Sequence, residues 1–517
     1  MTRKEADTPS LEQFCELAAA QRVVPVSRTL LVDHVSAIGL FHALCGDRAG
    51  TFLLESAEAG VQWSRYSFIG VHSAAMLTES KGEAIWTGRV PDGLPMQGTA
   101  LEVLEATLEQ LHTRKYSLDG LADFPFTGGL VGYMSYDIVR QWEGIGDSTT
   151  DSLDLPDLGF LLASDIAIVD HLQSTVTLIA NAINFDNSPK RVEQAYADSV
   201  ARLDRMQESL AMIESTGGVP IPVLETELAL PSRNTKEEIY LNNVDTIKEY
   251  IRAGDAFQVV LSQRCSVPTQ ASALSIYRIL RSTSPSPYMY LVRVPNPKNI
   301  EEVDFEIIGS SPEALVTIRD QHAVVHPIAG TRWRSADLDR DRELAQDLLE
   351  DKKERAEHLM LVDLARNDLG RVCTPGSVNV VDFMHVERYS HVMHLVSTVT
   401  GDLAEGENAF TALRATFPAG TLSGAPKPRA MQIIEELEFE RRGLYGGCVG
   451  YFDFAGNLDM AIAIRTALLK NGNAHIQAGG GIVADSVPAQ ENDECINKAM
   501  AVIRAVALAE QLENWSR

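Results

Sequence analysis

The sequence predicts an α+β fold, in which strand-rich stretches and helices follow one another without the regular strand–helix alternation of a parallel sheet. Two observations support this prediction. Short apolar runs beside glycine or polar residues, such as residues 51–55 and 175–182, are typical of buried strands. Apolar residues at helical spacing, as between residues 236 and 253, predict amphipathic helices, and Gly254 stands where a glycine commonly ends such a helix.

The remaining elements are predicted from the same patterns. Further strands are expected at residues 257–261, 323–326, 447–454 and 474–477, and further helices at 192–210, 342–368, 410–416, 426–437 and 492–512. Glycines and prolines accumulate in residues 215–234, where helical spacing is lost, so this stretch is predicted to be a linker. It divides the chain into an N-terminal domain (11–214) and a second domain (235–510).

The chain of 517 residues is strongly acidic, with 45 Lys and Arg against 71 Asp and Glu residues and a net charge of −26. Such a charge repels phosphates, which argues against a nucleic-acid or anionic-membrane partner. No uncharged apolar run reaches membrane-spanning length, and the first residues contain no apolar signal segment, so we expect a cytoplasmic protein with reduced cysteines. An anionic substrate would then need local basic groups or a metal ion.

One short segment occurs twice in similar form. Residues 128–133 read GGLVGY and residues 446–451 read GGCVGY. Two strands whose glycines allow close backbone approach explain the likeness, and a distant structural repeat is the alternative.

Four glutamates carry the strongest chemical signal. Glu354 and Glu357 are three residues apart in one predicted helix, and Glu491 and Glu494 are three apart near the start of the last one. Residues at this spacing share a helix face, so two such helices facing each other would bring four carboxylates together. Oxygen ligands of this kind favour a hard cation such as magnesium (Mg²⁺). The alternative is two ordinary solvated helix faces.

A glycine-rich segment, QAGGGIVAD at residues 477–485, precedes the second glutamate pair. A glycine-rich turn before a helix can present backbone N–H groups to an anion. A tight turn without a ligand is the alternative interpretation. The spacing is not that of a nucleotide-binding motif.

Several long motifs, in order along the chain, resemble the chorismate-binding enzymes. The resemblance covers most of residues 235–505, and the earlier part is similar to the large subunits of anthranilate synthases in that family. The motifs are PIAGT at 327–331, KERAEHLMLVD at 353–363, RYSHVMHLV at 388–396 and GTLSGAPK at 420–427, with FLLES at 52–56, WSRYSFIG at 63–70 and GGLVGYMSYD at 128–137 earlier. The resemblance implies a large antiparallel-sheet core, a β-sandwich with helices packed outside.

Two positions distinguish among the reactions that members of this family catalyse. Related salicylate and isochorismate synthases carry a water-activating lysine where this chain has Gln258, and a neutral amide cannot act as that base. Related aminodeoxychorismate synthases carry a nucleophilic lysine where this chain has Ala329, which has no nucleophile. Attack by ammonia without a covalent enzyme intermediate remains. The resemblance thus implies an anthranilate synthase, a lyase that catalyses the first committed step of tryptophan biosynthesis from chorismate.

The resemblance also implies roles for individual residues. The four glutamates would hold magnesium beside the substrate ring carboxylate. The metal ion would then offset the charge of an anionic substrate in this acidic protein. Glu313, in GSSPE at 309–313, matches the general acid and would need a pKa raised by neighbouring carboxylates or by burial. His394 is the candidate near the later proton removal. A single histidine is often structural instead, and His391 is open to the same two interpretations. The remaining candidates are Thr331 and Gln258 at the reacting groups, and Tyr445, Arg465, Gly479, Gly480, Gly481 and Lys498 for substrate binding.

The source of ammonia is predicted to be a separate protein. A glutamine amidotransferase needs a nucleophilic cysteine followed by a His-x-Glu segment, and the glycine-flanked Cys448 is followed only by His475, Ile476 and Gln477. His385 and Glu387 lie before it, in the wrong order. We therefore expect Cys448 to be a strand residue, and a glutamine amidotransferase subunit to join this chain, as a heterotetramer in related enzymes.

Two segments resemble the family's site for feedback-inhibiting tryptophan. They contribute Leu54, Glu55 and Ser56, and then Pro285, Ser286, Pro287, Tyr288 and Met289. Apolar and aromatic groups can hold an indole, while backbone and serine groups hold the ammonium and carboxylate. The family pattern usually has Asn where this chain has Ser284. The resemblance therefore implies that the inhibitor binds but says less about its affinity. A core strand beside a proline-containing loop is the alternative interpretation.

Two other functions remain open from the sequence. One is an ammonia-using enzyme that stops at the amino intermediate without releasing pyruvate. The other is a catalytically silent tryptophan-sensing or scaffold protein, which would show no magnesium-dependent turnover.

Overall fold

A computed structural model of the chain describes residues 7–32, 36–56, 65–113, 121–211, 222–223, 228, 231–388 and 392–516. Within these ranges the chain forms eleven α-helices and 21 strands. The helices are α1 (Leu11–Ala20), α2 (Ala37–Cys45), α3 (Ala100–Gln110), α4 (Val192–Ala211), α5 (Glu237–Ala253), α6 (Ala273–Thr283), α7 (Leu338–Glu350), α8 (Lys352–Gly370), α9 (Ala409–Thr416), α10 (Lys427–Leu437) and α11 (Pro488–Ser516).

The strands lie before, within and after the predicted linker of residues 215–234. Those before it are β1 (Val23–Leu31), β2 (Phe52–Glu55), β3 (Tyr66–Ser80), β4 (Glu83–Gly88), β5 (Gly129–Met134), β6 (Leu158–Asp170) and β7 (Thr175–Ile183). The others are β8 (Ser232–Arg233), β9 (Gln258–Pro268), β10 (Tyr288–Asn296), β11 (Asn299–Ser311), β12 (Ala314–Arg319), β13 (His322–Val325), β14 (Ile328–Trp333), β15 (Asn379–Arg388), β16 (Val392–Asp402), β17 (Gly424–Ala425), β18 (Cys448–Asp453), β19 (Leu458–Ile462), β20 (Thr466–Lys470) and β21 (Asn473–Ile482).

All ladders between these strands are antiparallel, and they form two series that meet at β6. The first series runs β3–β2–β10–β11–β20–β21–β9. The second runs β5–β18–β19–β12–β13–β16–β15. Both series mix strands from before and after the predicted linker. The division into domains 11–214 and 235–510 stays a prediction, and most of residues 215–234 lie outside the described ranges.

Three hydrophobic clusters place the sheets and helices in layers. One cluster draws from strands of both series and includes Phe52, Tyr133, Phe305 and Val449. The second joins the first series to helices such as α5 and α11, and the third joins the second series to α8 and α9. The predicted α+β fold, an antiparallel-sheet core with helices outside, is confirmed.

The glycine-rich repeat consists of two neighbouring strands. β5 pairs with β18 so that Gly132 lies opposite Gly450. A Cβ atom at Gly132 would lie 1.8 Å from the Gly159 carbonyl oxygen, and one at Gly450 would lie 2.0 Å from the Asp459 carbonyl oxygen. The expected close backbone approach is confirmed, because only glycine leaves room for it.

Helix α5 ends as predicted, since Gly254 adopts a left-handed φ of 87° after Ala253.

The single helix predicted at 342–368 is wrong. Asp351 has extended backbone angles between α7 and α8, and its carboxylate accepts hydrogen bonds from the N–H groups of Lys353 and Glu354 at the start of α8. The last helix begins at Pro488, earlier than expected. No helix in the described part of the chain is long and apolar enough to cross a membrane.

Candidate active site

The glycine run lies inside strand β21, so the predicted turn is wrong. Gly479 and Gly481 pair with Ser262 and Val260 of β9. A Cβ atom at Gly479 would lie 2.8 Å from the Tyr445 hydroxyl oxygen, and one at Gly481 would lie 2.2 Å from Gln258 Nε2. The missing side chains therefore make room for Tyr445 and Gln258 on one face of the β9–β21 pair.

The four glutamates come from two helices. Glu354 and Glu357 lie on α8, and Glu491 and Glu494 lie on α11. A Cβ atom at Gly480 would lie 3.1 Å from Glu491 Oε2. Burial raises the pKa of Glu357, and the charges of Glu354 and Glu494 raise it further. The pKa of Glu491 is also raised by burial and by Glu494. The two pairs are therefore close enough for their charges to repel.

This donor set fits a hard cation. Within the described ranges, no three His, Cys, Asp or Glu side chains form a complete group able to hold a metal ion. Magnesium commonly binds through one or two carboxylates and completes its shell with water and substrate oxygens. The raised pKa values of Glu357 and Glu491 mark a like-charge repulsion that a cation would relieve.

Lys498 connects the carboxylates to the glycine strand. Its ammonium group donates to Glu494 Oε1 at 2.7 Å and to the Gly479 carbonyl oxygen at 3.0 Å. Its charge also lowers the pKa of Glu313, although less than burial raises it. Lys498 is thus committed to protein partners around the site.

Glu313 lies in the turn between β11 and β12. The Thr421 hydroxyl donates to its Oε1 atom at 3.0 Å. Burial raises the pKa of Glu313 to about 7, against the opposing effects of Thr421 and Lys498. Burial, rather than neighbouring carboxylates, therefore favours the protonated form that a general acid needs near neutral pH.

His394 lies on β16, facing the segment that contains Ala329. Its Nδ1 atom is 2.8 Å from the Gly330 carbonyl oxygen and 3.1 Å from the Thr331 hydroxyl oxygen. Since the carbonyl can only accept, Nδ1 carries the proton and Nε2 is an acceptor in the neutral ring. Burial lowers the pKa of His394, and the charge of Arg465 lowers it further, so the neutral ring is favoured. His391 lies outside the described residues.

Arg465 is the strained residue of the site. It adopts a left-handed φ of 52° without being glycine, a conformation that costs about 1–3 kcal/mol and concentrates at functional sites. Burial lowers its pKa, while nearby Tyr445 and Glu494 raise it. It has no carboxylate ion pair within the described residues. The guanidinium is therefore available to an anion beside Tyr445.

The two segments predicted to bind an inhibitor are neighbours. β2 pairs with β10 so that Leu54 lies opposite Tyr290 and Glu55 opposite Met289. The Ser56 hydroxyl is buried without a hydrogen-bond partner in the described structure. Pro285, Ser286 and Pro287 lead directly into β10 and are half-buried.

The same region contains Arg281 and Asp459, two residues that the sequence did not indicate. Arg281 of α6 forms an ion pair with Glu55, and the Tyr288 hydroxyl donates to Asp459 at 3.1 Å. Thr421 was also missed as the partner of Glu313, although it lies in the motif at 420–427.

Cys448 begins β18 and is fully buried. Burial raises the pKa of its thiol to about 12, so it is a poor nucleophile at neutral pH. Its expected placement in a strand is confirmed.

The chain matches known proteins over nearly its whole length. The chorismate binding enzyme family matches residues 50–504. Anthranilate synthase component 1 from Mycobacterium bovis is 54% identical over 512 residues, 98% of this chain and 97% of that protein. The chain belongs to the anthranilate synthase component 1 family. The protein of that name from Arthrobacter globiformis is 51% identical over 511 residues, covering 98% of this chain and 94% of that protein.

A solved structure of a family member has the same fold. The crystal structure of anthranilate synthase component I from Streptococcus pneumoniae TIGR4 aligns with a TM-score of 0.71 at 36% identity, over 86% of this chain and 93% of that chain. Membership of the anthranilate synthase component 1 family makes this chain an enzyme, and the predicted resemblance is confirmed.

Proposed function

We propose that this chain converts chorismate and ammonia into anthranilate, pyruvate and water. The observation that carries the proposal is Glu313, a carboxylic acid whose pKa burial raises to about 7 even though the charge of Lys498 lowers it. Family membership supports the substrate class, and the glutamine at position 258 and alanine at position 329 support ammonia as the nucleophile.

Binding begins with the two substrate carboxylates. Arg465 and Tyr445 hold the enolpyruvyl carboxylate, with Gly479, Gly480 and Gly481 keeping the approach clear. Magnesium at Glu354, Glu357, Glu491 and Glu494 would offset the charge of the ring carboxylate. Lys498 stabilises this arrangement through Glu494 and the Gly479 carbonyl.

Amination follows at ring carbon C2. Glu313 donates its proton to the C4 hydroxyl, which leaves as water while ammonia forms the new C–N bond and then loses a proton. Gln258 lines this part of the site, where its buried Oε1 atom has no hydrogen-bond partner in the described structure. An amide oxygen can accept a hydrogen bond from ammonia but cannot deprotonate water.

Elimination completes the reaction. His394 Nε2 lies in the acceptor state required to remove the C2 proton, because Nδ1 donates to the Gly330 carbonyl. The enolpyruvyl C–O bond then breaks, the leaving fragment takes up a proton as pyruvate, and the ring becomes aromatic. Thr331 contributes a hydrogen bond to the substrate.

Ammonia comes from a glutamine amidotransferase subunit, in a cytoplasmic heterotetramer. The unreactive Cys448 supports a separate source, since it cannot serve as the glutaminase nucleophile. Purified alone with chorismate and magnesium, the chain should form fluorescent anthranilate from ammonium but not from glutamine. Turnover with glutamine would contradict the separate subunit, and no turnover with ammonium would contradict the proposed reaction.

Tryptophan inhibits by binding beside Leu54, Glu55 and Ser56. The loop of Pro285, Ser286 and Pro287, with Tyr288 and Met289, closes the other side. The direct β2–β10 pairing and the buried Ser56 hydroxyl support this site. Ser56→Ala should weaken tryptophan inhibition, whereas Ser282→Ala on exposed helix surface should not. Activity that millimolar tryptophan leaves unchanged would refute the site.

A further inference from the structure

A large cleft lies away from the residues discussed so far. It has a volume of about 570 Å³, which falls in the range of small-molecule sites. Its lining comes from helices α1 and α4, the ends of β1 and β7, and parts of β3, β4 and β11.

The cleft is separate from the proposed tryptophan site. Its β3 residues are His72, Ser73 and Ala74, whereas Leu54 and Glu55 of β2 pair with Phe68 and Ser67. Four or more strand residues separate the two sets, a distance of roughly 13 Å or more.

The cleft has an excess of positive charge, with five basic residues against the acidic Asp186, Asp198 and Glu301, in a protein whose net charge is −26. Its basic residues are Arg22, Arg89, Lys190, Arg191 and Arg202. Arg191 pairs with Asp186 at 3.4 Å, and Arg202 forms an ion pair with Asp165. Within the described structure, the other three have no carboxylate ion-pair partner.

Two of these cations are held in place by uncharged groups. Arg22 Nε donates to the Asn184 carbonyl oxygen at 3.3 Å, and its Nη2 atom donates to the Asp92 carbonyl oxygen. The Arg89 guanidinium lies 4.0 Å from the centre of the Phe185 ring. Asn184 and Phe185 are adjacent in the chain, so Arg22 and Arg89 are held by neighbouring residues of the cleft lining. Their positive charge is thus oriented without a carboxylate ion pair in the described structure.

Apolar side chains line the cleft beside these cations. Phe14, Val24, Phe185 and Ile300 contribute to its walls. Inorganic phosphate would use the arginines but leave this apolar surface in water. An aromatic carboxylate would use both, since its ring replaces water on the apolar wall while its carboxylate accepts from a guanidinium.

We propose that this cleft is a second anion site that binds a small aromatic carboxylate. The carboxylate contacts Arg22 and Arg89, and the ring packs against Phe185 and Ile300. Since Ile300 follows the predicted linker and α1 and α4 precede it, the bound molecule also bridges the two parts of the chain.

Binding of benzoate to the full chain by titration calorimetry tests the proposal. Benzoate should bind and raise Tm, whereas neutral benzamide should do neither. Arg22→Gln combined with Arg89→Gln should weaken benzoate binding at least about tenfold, because each change removes a charge-assisted contact. Ammonium-dependent turnover should be unchanged, which shows that the variant is folded. Arg89→Gln alone, an exposed position, provides the test if the double variant does not fold.

The matched control is Arg191→Gln, which removes a cation of the same cleft that is already paired with Asp186 and should leave benzoate affinity unchanged. Benzoate that competes with chorismate and binds the double variant with unchanged affinity is bound at the active site, which overturns the proposal. Equal affinity for phosphate and benzoate would also overturn it, because the apolar wall would then contribute nothing.

Discussion

Removing the Thr421 hydroxyl is expected to shift the pH dependence of turnover upward. Thr421 donates to Glu313 at 3.0 Å, and this hydrogen bond opposes the effect of burial on the Glu313 pKa, about 7. A general acid must be protonated, so activity is present below this pKa and is lost as pH rises through about 7. Thr421→Val removes a group that stabilises the ionised form.

The size of the shift follows from the hydrogen bond. A hydrogen bond to a charged group contributes about 1.5–3 kcal/mol, and one pKa unit corresponds to about 1.36 kcal/mol. The midpoint of the alkaline limb should therefore move up by at least about one pH unit in Thr421→Val.

The assay is the pH profile of kcat with ammonium, with the concentration of free ammonia held constant, because free ammonia itself increases with pH. Thr416→Val is the control, since that buried hydroxyl donates to the Ala412 and Leu413 carbonyls within α9 and no contact to Glu313 is described. An alkaline limb at the same pH in Thr421→Val and Thr416→Val would refute the role of the Thr421 hydrogen bond. A limb that persists in Glu313→Gln would refute the acid assignment.

Four further outcomes are expected. Glu313→Gln should lower kcat by about 10²- to 10⁴-fold. Because burial raises the folded pKa of Glu313 from 4.5 to about 7, the folded state binds more protons in this interval. As pH rises from about 4.5 to 7, the unmodified chain should therefore lose up to about 3 kcal/mol of unfolding free energy relative to Glu313→Gln. Urea unfolding measures this difference, and an equal pH dependence in the two proteins would contradict the burial effect. Gly481→Ala places a Cβ atom 2.2 Å from Gln258 Nε2 and should reduce turnover about 10- to 100-fold, while Gly370→Ala, in open space, should not; equal activities would show that Gln258 placement is unimportant. Glu357→Gln should raise the magnesium concentration needed for half-maximal activity, and an unchanged requirement would remove Glu357 from the cation site.

The paired glutamates show what helical spacing can predict. Three-residue spacing placed Glu354 with Glu357 and Glu491 with Glu494 on shared faces, and the charge interaction between the pairs agrees with that reading. Glu313 was also predicted from its motif as the general acid, and that role stays a prediction. The cause of its raised pKa required the structure, because burial depends on distant segments.

The failed predictions are those that depend on tertiary pairing. A run of three glycines is compatible with a turn or with a strand, and the ladder between β21 and β9 decides it at Gly480, which pairs with Leu261. The helix breaks at Asp351 because this residue adopts extended backbone angles and its carboxylate caps the start of α8. Thr421 lies 108 residues from Glu313, so no local pattern could connect them.

The amount of pyruvate released per anthranilate is the most direct test of the proposed reaction. The purified chain is incubated with chorismate, magnesium and ¹⁵N-ammonium, and both products are quantified. We predict equal amounts of pyruvate and anthranilate, with ¹⁵N in the anthranilate amine. An aminated product without pyruvate would contradict the reaction and indicate an enzyme that stops at the amino intermediate, and a hydroxylated product would contradict ammonia as the nucleophile.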